Sequence, residues 1–148
     1  MNPKVFSADV LIPEYRALLS EGAELPLVVS GGSMLPFLAP GRDTVYLKAP
    51  GERALCRGDI AFYQRPNGQY VLHRVCRAEG DRLWFAGDAQ DVIEGPLPRG
   101  CVFAYVTAAR RKDKLQKPGV FWWDFFAGPW LRLIGQRQRI LKAYSKLK

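Results

Sequence analysis

The chain has 148 residues, 48% of them hydrophobic and 24% charged, a composition typical of one globular domain with its own core. Its net charge of +8 is uneven, because eleven basic and twelve acidic residues precede position 108 whereas eleven basic and two acidic residues follow. A negatively charged partner would therefore meet the C-terminal tail. One histidine and three scattered cysteines form no recognisable ligand set, and no GxxxxGK[ST] stretch occurs, so we expect no metal and no cofactor.

The first third of the chain predicts one short helix and two strands. Apolar residues recur at helical spacing over 7–20, and Gly22 follows as a stop. The apolar stretch 25–30 predicts a strand that ends at Gly31 and Gly32, and 44–48 predicts a second short strand. These elements place a glycine-rich turn directly after the first strand.

The N-terminus, Met1 to Leu19, lacks a long apolar run, because Asp9, Glu14 and Arg16 interrupt it. Nowhere do about twenty apolar residues follow one another, as a membrane-spanning helix requires. We therefore expect neither a signal peptide nor a membrane anchor, and a protein that stays in the cytoplasm.

The middle of the chain predicts further short strands joined by turns. Residues 59–64 and 69–77 form a predicted hairpin, because the Arg-Pro-Asn-Gly sequence between them is typical of a tight turn. Residues 82–86 and 101–108 are two more predicted strands. The fold class expected is mainly β and partly barrel-like, with a helical segment at 1–24, a β domain at 25–108 and a basic aromatic tail at 109–148.

The tail combines aromatic and basic residues. Trp122 and Trp123 lie in one aromatic stretch, and a helical pattern that begins at Trp130 has apolar residues on one side and basic residues largely elsewhere. This pattern has two interpretations of equal weight. The tail lies on an anionic membrane surface at the inner face of the membrane, or it packs on its own domain and exposes its basic side to solvent.

Ser33 and His73 are the residues whose setting indicates chemistry. Ser33 follows Ser30, Gly31 and Gly32 in a turn after a strand, where a constrained backbone directs amide groups at a developing oxyanion. His73 lies in a predicted strand, and a neutral imidazole is a suitable base for a serine hydroxyl. From residue types alone, a turn serine and a structural histidine are the more common interpretation.

Four segments in order resemble the motifs of the signal peptidase and LexA-like serine peptidase clan. SGGSMLPFLAPG (30–41) is similar to the box with the nucleophile, and YVLHRV (70–75) to the segment with the general base. RGDIAFYQ (57–64) and FAGDAQD (85–91) resemble two further boxes. The resemblance covers about residues 25–108. Because histidine stands at the base position, the chain resembles the branch of endoplasmic-reticulum and archaeal-type signal peptidases and not the lysine branch.

The resemblance implies a serine endopeptidase that cleaves a leader, signal or precursor peptide. Ser33 is then the nucleophile and His73 the general base. Asp88 is the first candidate for orienting the imidazole and Asp91 the second, although a turn carboxylate bonded to nearby amides is an alternative role for Asp88.

The remaining candidates surround the nucleophile. Ser30, Gly31 and Gly32 would form the oxyanion turn, in which the Ser33 amide takes the main role. Met34 and Pro36 would shape the substrate groove. The polypeptide substrate is the partner that these assignments require.

Three alternatives accompany the enzyme. The first is a catalytically silent peptide-binding or regulatory module that keeps the peptidase fold. The second is a self-cleaving LexA-like regulator, which is disfavoured because few residues precede the nucleophile box and no lysine base is available. The third is a nucleic-acid-binding tail, which we do not expect because the tryptophan-rich stretch favours lipid.

Overall fold

The computed structural model describes the backbone of residues 8–147 and the side chains of residues 13–147. The first elements are helix α1 (Ala8–Ser20) and strands β1 (Leu25–Val28), β2 (Thr44–Lys48), β3 (Ile60–Gln64), β4 (Tyr70–Glu79) and β5 (Arg82–Ala86). There follow β6 (Glu94–Pro98), a 3₁₀ turn at Arg99–Cys101, β7 (Val102–Arg111), β8 (Lys114–Gln116), and helices α2 (Phe121–Ala127), α3 (Pro129–Arg132) and α4 (Arg137–Lys146).

The strands form one antiparallel sheet in the order β1-β2-β7-β3-β4-β5-β6, with β8 paired to β7. The mainly β class and the short N-terminal helix are therefore confirmed. The sheet is open, because no pairing among the described residues joins β1 to β6. The sequence pattern did not predict β6 and β8, since β6 contains two prolines and β8 is only three residues long.

Two hydrophobic clusters lie on opposite faces of the central strands. Along β3, Ile60 and Phe62 belong to one cluster, and Ala61 and Tyr63 to the other. This division follows from the two-residue period of a strand, whose successive side chains point to opposite faces. In β4, Val71 and Val75 belong to the cluster of Tyr63, as alternation with His73 predicted.

The tail is joined to the body. Strand β7 continues to Arg111, so the predicted boundary after residue 108 falls inside a strand. Trp123, Phe126 and Trp130 are buried in the cluster that also contains Phe37. Phe37 stacks on Phe126 with ring centroids 4.9 Å apart.

Two of the three tryptophans considered for a contact with lipid are buried. Trp123 and Trp130 are only 7% and 5% exposed, because both pack into the core, whereas Trp122 is 44% exposed. Within residues 8–147, no helix is long and apolar enough to cross a membrane.

Candidate active site

The turn with Ser33 begins where β1 ends. Gly31 has a φ of 73°, a left-handed conformation that side chains disfavour, and residues 33–37 form successive turns. Ser33 is half-buried, and its backbone N–H and hydroxyl have no partner among the hydrogen bonds of the described residues. An unpartnered amide and hydroxyl on one residue are available to a ligand.

A second loop holds this turn in place from behind. The Ala89 N–H donates a hydrogen bond to the Ser33 carbonyl oxygen at 2.9 Å. Gly87 lies so close that a Cβ there would be 2.4 Å from the same oxygen. The glycine of the fourth motif therefore allows the loop 87–90 to approach Ser33, and a side chain at this position would force the two loops apart.

Ser33 and His73 line one cavity of about 270 Å³, together with Ser30 and Met34. No hydrogen bond between the Ser33 hydroxyl and the imidazole is found in the described part of the chain, a separation that unliganded catalytic pairs often have. Pro36 lies elsewhere: it lines a different groove with Trp122, and its carbonyl accepts a hydrogen bond from Arg111. Of the two residues predicted to shape the substrate groove, Met34 therefore lines the cavity of Ser33 and His73, and Pro36 does not.

A second cavity, of about 480 Å³, also borders His73. It shares His73, Arg65 and Gln90 with the first cavity and is also lined by Asp91 and Glu94. His73 thus borders both spaces, and an extended peptide crossing from one to the other would pass the imidazole.

The imidazole of His73 contacts a buried tyrosine. Nδ1 of His73 lies 3.2 Å from Oη of Tyr63, which donates a 2.5 Å hydrogen bond to Oε1 of Glu94. Arg65 pairs with the other oxygen of Glu94, at 2.8 Å from its Nε. These contacts connect His73 to an ion pair through one phenol group.

Burial keeps the imidazole neutral. His73 is 5% exposed, and burial, assisted by the nearby charge of Arg65, lowers its pKa to about 4, although Glu94 acts in the opposite direction. Burial and the bond to Glu94 raise the pKa of Tyr63 well above its usual value, so the phenol stays protonated. At neutral pH His73 is therefore a free base.

Asp88 has a different partner from the one expected. Both of its carboxylate oxygens accept hydrogen bonds from Arg74, at 2.8 Å each, and its polar contacts in the described structure include none with His73. The cause is strand alternation: Arg74 is the neighbour of His73 in β4 and points to the opposite face. The alternative role, a carboxylate bonded to backbone amides, is not found either, because the partner is a guanidinium.

The other candidate acids differ in how they reach His73. Asp91 is exposed and lines the second cavity, but no described hydrogen bond joins it to the imidazole. Glu94, which lies six residues after Asp88, is the acidic group connected to His73, through Tyr63. The sequence alone assigned Glu94 no role, since its spacing from Asp88 did not distinguish it from Asp91. The pairing of Phe85 in β5 with Glu94 in β6 brings the carboxylate to this place.

The C-terminal segment fixes the loop behind Ser33. All four carbonyl oxygens of residues 87–90 accept hydrogen bonds from tail side chains: Arg137 to Gly87, Asp88 and Gln90, Trp130 to Asp88, and Gln138 to Ala89. Arg137 is fully buried. The tail therefore contributes to the structure of the site, a role that its composition did not indicate.

Among the residues that the structure describes, no cluster of three or more His, Cys, Asp and Glu side chains is arranged to hold a metal ion. Comparisons of the chain with protein-family models, with curated proteins and with solved structures found no match.

Proposed function

We propose that the chain is a serine endopeptidase of the signal peptidase type, in which Ser33 is the nucleophile and His73 the general base. The observation that carries the proposal is that these two residues, 40 positions apart in the sequence, line the same cavity. The open sheet is, on this proposal, a variant of the partly barrel-like fold of the signal peptidase and LexA-like clan.

The proposed reaction has two steps. Ser33 Oγ attacks the peptide carbonyl while His73 Nε2 takes the hydroxyl proton, and the imidazolium then protonates the leaving amine. Water hydrolyses the acyl-enzyme with His73 again as the base. The unpartnered Ser33 N–H is the donor that we assign to the tetrahedral oxyanion, in a turn whose shape Gly31 and Ala89 maintain.

The cavities support a peptide substrate. The first is lined by apolar side chains, among them Leu27, Val29 and Phe62, and by polar side chains, among them Arg65, Gln69 and Gln90. The second, lined by Asp91 and Glu94, would hold residues on the leaving-group side. A leader, signal or precursor peptide is the substrate class that we propose.

Ser33→Ala is the decisive variant. The full chain is incubated with a fluorophosphonate probe and with a peptide library read by mass spectrometry. We expect labelling and cleavage by the wild type, neither by Ser33→Ala, and a loss of cleavage on the order of 10²- to 10⁴-fold in His73→Gln. Ser145→Ala, which changes an exposed hydroxyl on α4, is the matched control and should retain full activity.

The outcomes separate the enzyme from the silent binding module. Cleavage that persists in Ser33→Ala would overturn the assignment of the nucleophile. A wild type that does not cleave but binds library peptides, with binding weakened by Met34→Ala in the first cavity, would support the peptide-binding module.

A second proposal concerns an anionic membrane surface as partner. Phe121 is 68% exposed beside Trp122, and the groove that Trp122 shares with Leu35 and Ile140 is bordered by Arg42, Arg111 and Lys112. Exposed aromatic groups flanked by cations are typical of proteins that lie on anionic lipid. We therefore keep Trp122 in the predicted contact, add Phe121 in place of the buried Trp123 and Trp130, and propose a location at the inner face of the membrane.

Vesicle sedimentation tests this contact. The wild type should bind phosphatidylglycerol vesicles and not phosphatidylcholine vesicles, and Phe121→Ser with Trp122→Ser should lower the bound fraction at least several-fold. Leu115→Ser removes an apolar side chain of similar exposure on β8 and should not change binding. Equal binding by the two variants would contradict the proposal.

A further inference from the structure

We propose that Tyr63 and Glu94 are positioning residues, which hold His73 in the tautomer that exposes Nε2 as the proton acceptor. The inference deepens the proposed function, on which it rests, by assigning the acidic partner that the site otherwise lacks. It depends on the contacts of Tyr63, which lies between His73 and Glu94.

The number of protons on the three groups determines the direction of each bond. Tyr63 has one hydroxyl proton, and Glu94 can only accept, so that proton lies in the 2.5 Å bond to Glu94. In the hydrogen bond between Tyr63 Oη and His73 Nδ1, at 3.2 Å, the donor must then be a protonated Nδ1 and the acceptor the phenol oxygen. A neutral imidazole with its proton on Nδ1 has its lone pair on Nε2.

Neighbouring groups make the direction of the Tyr63 bond stable. Arg65 pairs with Glu94 at 2.8 Å, and the ring of Tyr63 is stacked on Phe85 at a centroid distance of 3.9 Å. Tyr63 is completely buried, so its hydroxyl has no contact with bulk water. The phenol is therefore fixed both by packing and by its charged partner.

The charged and titratable groups around His73 are few. Arg65 follows β3, Glu94 begins β6, and Asp91 lies in the loop between β5 and β6 at the wall of the second cavity. Ser33 faces the first cavity. Of these, Glu94 is the anion joined to the imidazole by hydrogen bonds, so its charge would stabilise the imidazolium formed when Ser33 Oγ loses its proton.

Substitution of each positioning residue should have a distinct kinetic effect. Tyr63→Phe removes the acceptor for Nδ1–H, so kcat should fall on the order of ten- to hundred-fold with little change in KM. Glu94→Gln keeps an oxygen for the phenol but removes the charge, so kcat should fall less. In Glu94→Gln, the acid limb of the profile of kcat against pH should shift to lower pH, because Glu94 raises the pKa of His73.

The single histidine allows a test that does not depend on activity. In the ¹⁵N-labelled chain, two-bond ¹H–¹⁵N correlations report the tautomer of one imidazole without overlap. We expect a protonated Nδ1 in the wild type and in Glu94→Gln, and a mixture of tautomers in Tyr63→Phe. Tyr105→Phe, which removes another tyrosine hydroxyl from the same cluster, is the matched control and should retain the wild-type spectrum.

The outcomes distinguish the two proposals. A wild-type imidazole protonated on Nε2, or a Tyr63→Phe spectrum identical to the wild type, would overturn this inference. The expected tautomers without any peptidase activity would count against the proposed function alone. If Tyr63→Phe does not fold, Glu94→Gln decides, because an unchanged pH profile in that variant contradicts the role of the carboxylate.

Discussion

His73 and Arg74 are neighbours on β4, yet their surroundings differ in polarity and in access to the cavities. On the His73 side, a neutral imidazole borders two cavities and has one hydrogen bond from its ring, to Tyr63. On the Arg74 side, the guanidinium is fully buried, makes a bidentate pair with Asp88, and donates to the Gly58 carbonyl at 2.7 Å. His73 borders open space, whereas Arg74 is enclosed by its polar partners, and we call these two surroundings the open side and the closed side.

The closed face extends into the C-terminal segment. The backbone of the Asp88 loop accepts hydrogen bonds from Arg137 and Trp130, and its Ala89 amide reaches the Ser33 carbonyl. The comparison shows that the two sides have separate tasks. On the closed side Arg74 and Asp88 pair with each other and tail side chains fix the loop, whereas the open side retains an imidazole nitrogen, an amide and a hydroxyl without partners among the described hydrogen bonds.

Asp88→Asn should have the largest effect on the closed side. The substitution leaves a buried guanidinium without its counter-charge, which costs about 3–5 kcal/mol of the free energy of unfolding. Urea denaturation at pH 7 measures the loss. The double variant Arg74→Met with Asp88→Leu removes both charges and should be less destabilised than Asp88→Asn, and a cost below about 1 kcal/mol for Asp88→Asn would contradict the role of the pair.

On the open side, His73 should make the free energy of unfolding depend on pH. The pKa of His73 is about 4 in the folded chain and about 6.5 when unfolded, so the unfolded state binds more protons between these values. The contribution of the neutral His73 to the free energy of unfolding is fully present above pH 6.5. It falls by about 3 kcal/mol as the pH decreases to 4. The difference in unfolding free energy between the wild type and His73→Gln should show this change, and a difference independent of pH would contradict the lowered pKa.

Much of the fold followed from the sequence, because hydrophobic spacing and turn residues are local signals. The strand at 44–48 and the one at 82–86 were predicted with their observed bounds. The position of His73 in a strand, with Val71 and Val75 on its face, also needed no more than alternation.

The rest of the site depends on contacts between distant segments. Nothing in the residues around Asp88 indicates that its partner is Arg74, 14 positions earlier, and nothing around Arg137 indicates three carbonyl acceptors some 50 positions away. Glu94 reaches Tyr63 only because a strand with two prolines pairs at the edge of the sheet. Such pairings arise from tertiary packing, which spacing in one segment does not specify.

Arg137→Met should have an intermediate effect on stability, and it should also loosen the loop that holds Ser33. It removes the hydrogen bonds to the carbonyl groups of the loop, and we expect a loss of about 2–3 kcal/mol of unfolding free energy. The Ala89 amide, which holds Ser33, should also exchange faster with solvent in hydrogen-exchange experiments. Arg139→Met removes the same charge from an exposed position on α4 and should change stability by less than about 0.5 kcal/mol.

Trp130→Phe should have the smallest effect of these variants. It removes the 2.8 Å hydrogen bond from the indole Nε1 to the Asp88 carbonyl, and a little buried volume, for a loss of about 1–2 kcal/mol. The loss stays small because Arg137 also donates to that carbonyl, at 3.2 Å, so the oxygen is not left without a partner. Urea denaturation at pH 7 measures this loss, and Trp122→Phe, at an exposed position, should be nearly neutral in the same experiment. If Arg137→Met and Trp130→Phe are combined, the carbonyl loses both donors, and the total cost should exceed the sum of the single losses. A strictly additive double variant would mean that the tail supports the loop at independent points, and the closed side of β4 would then not act as one network.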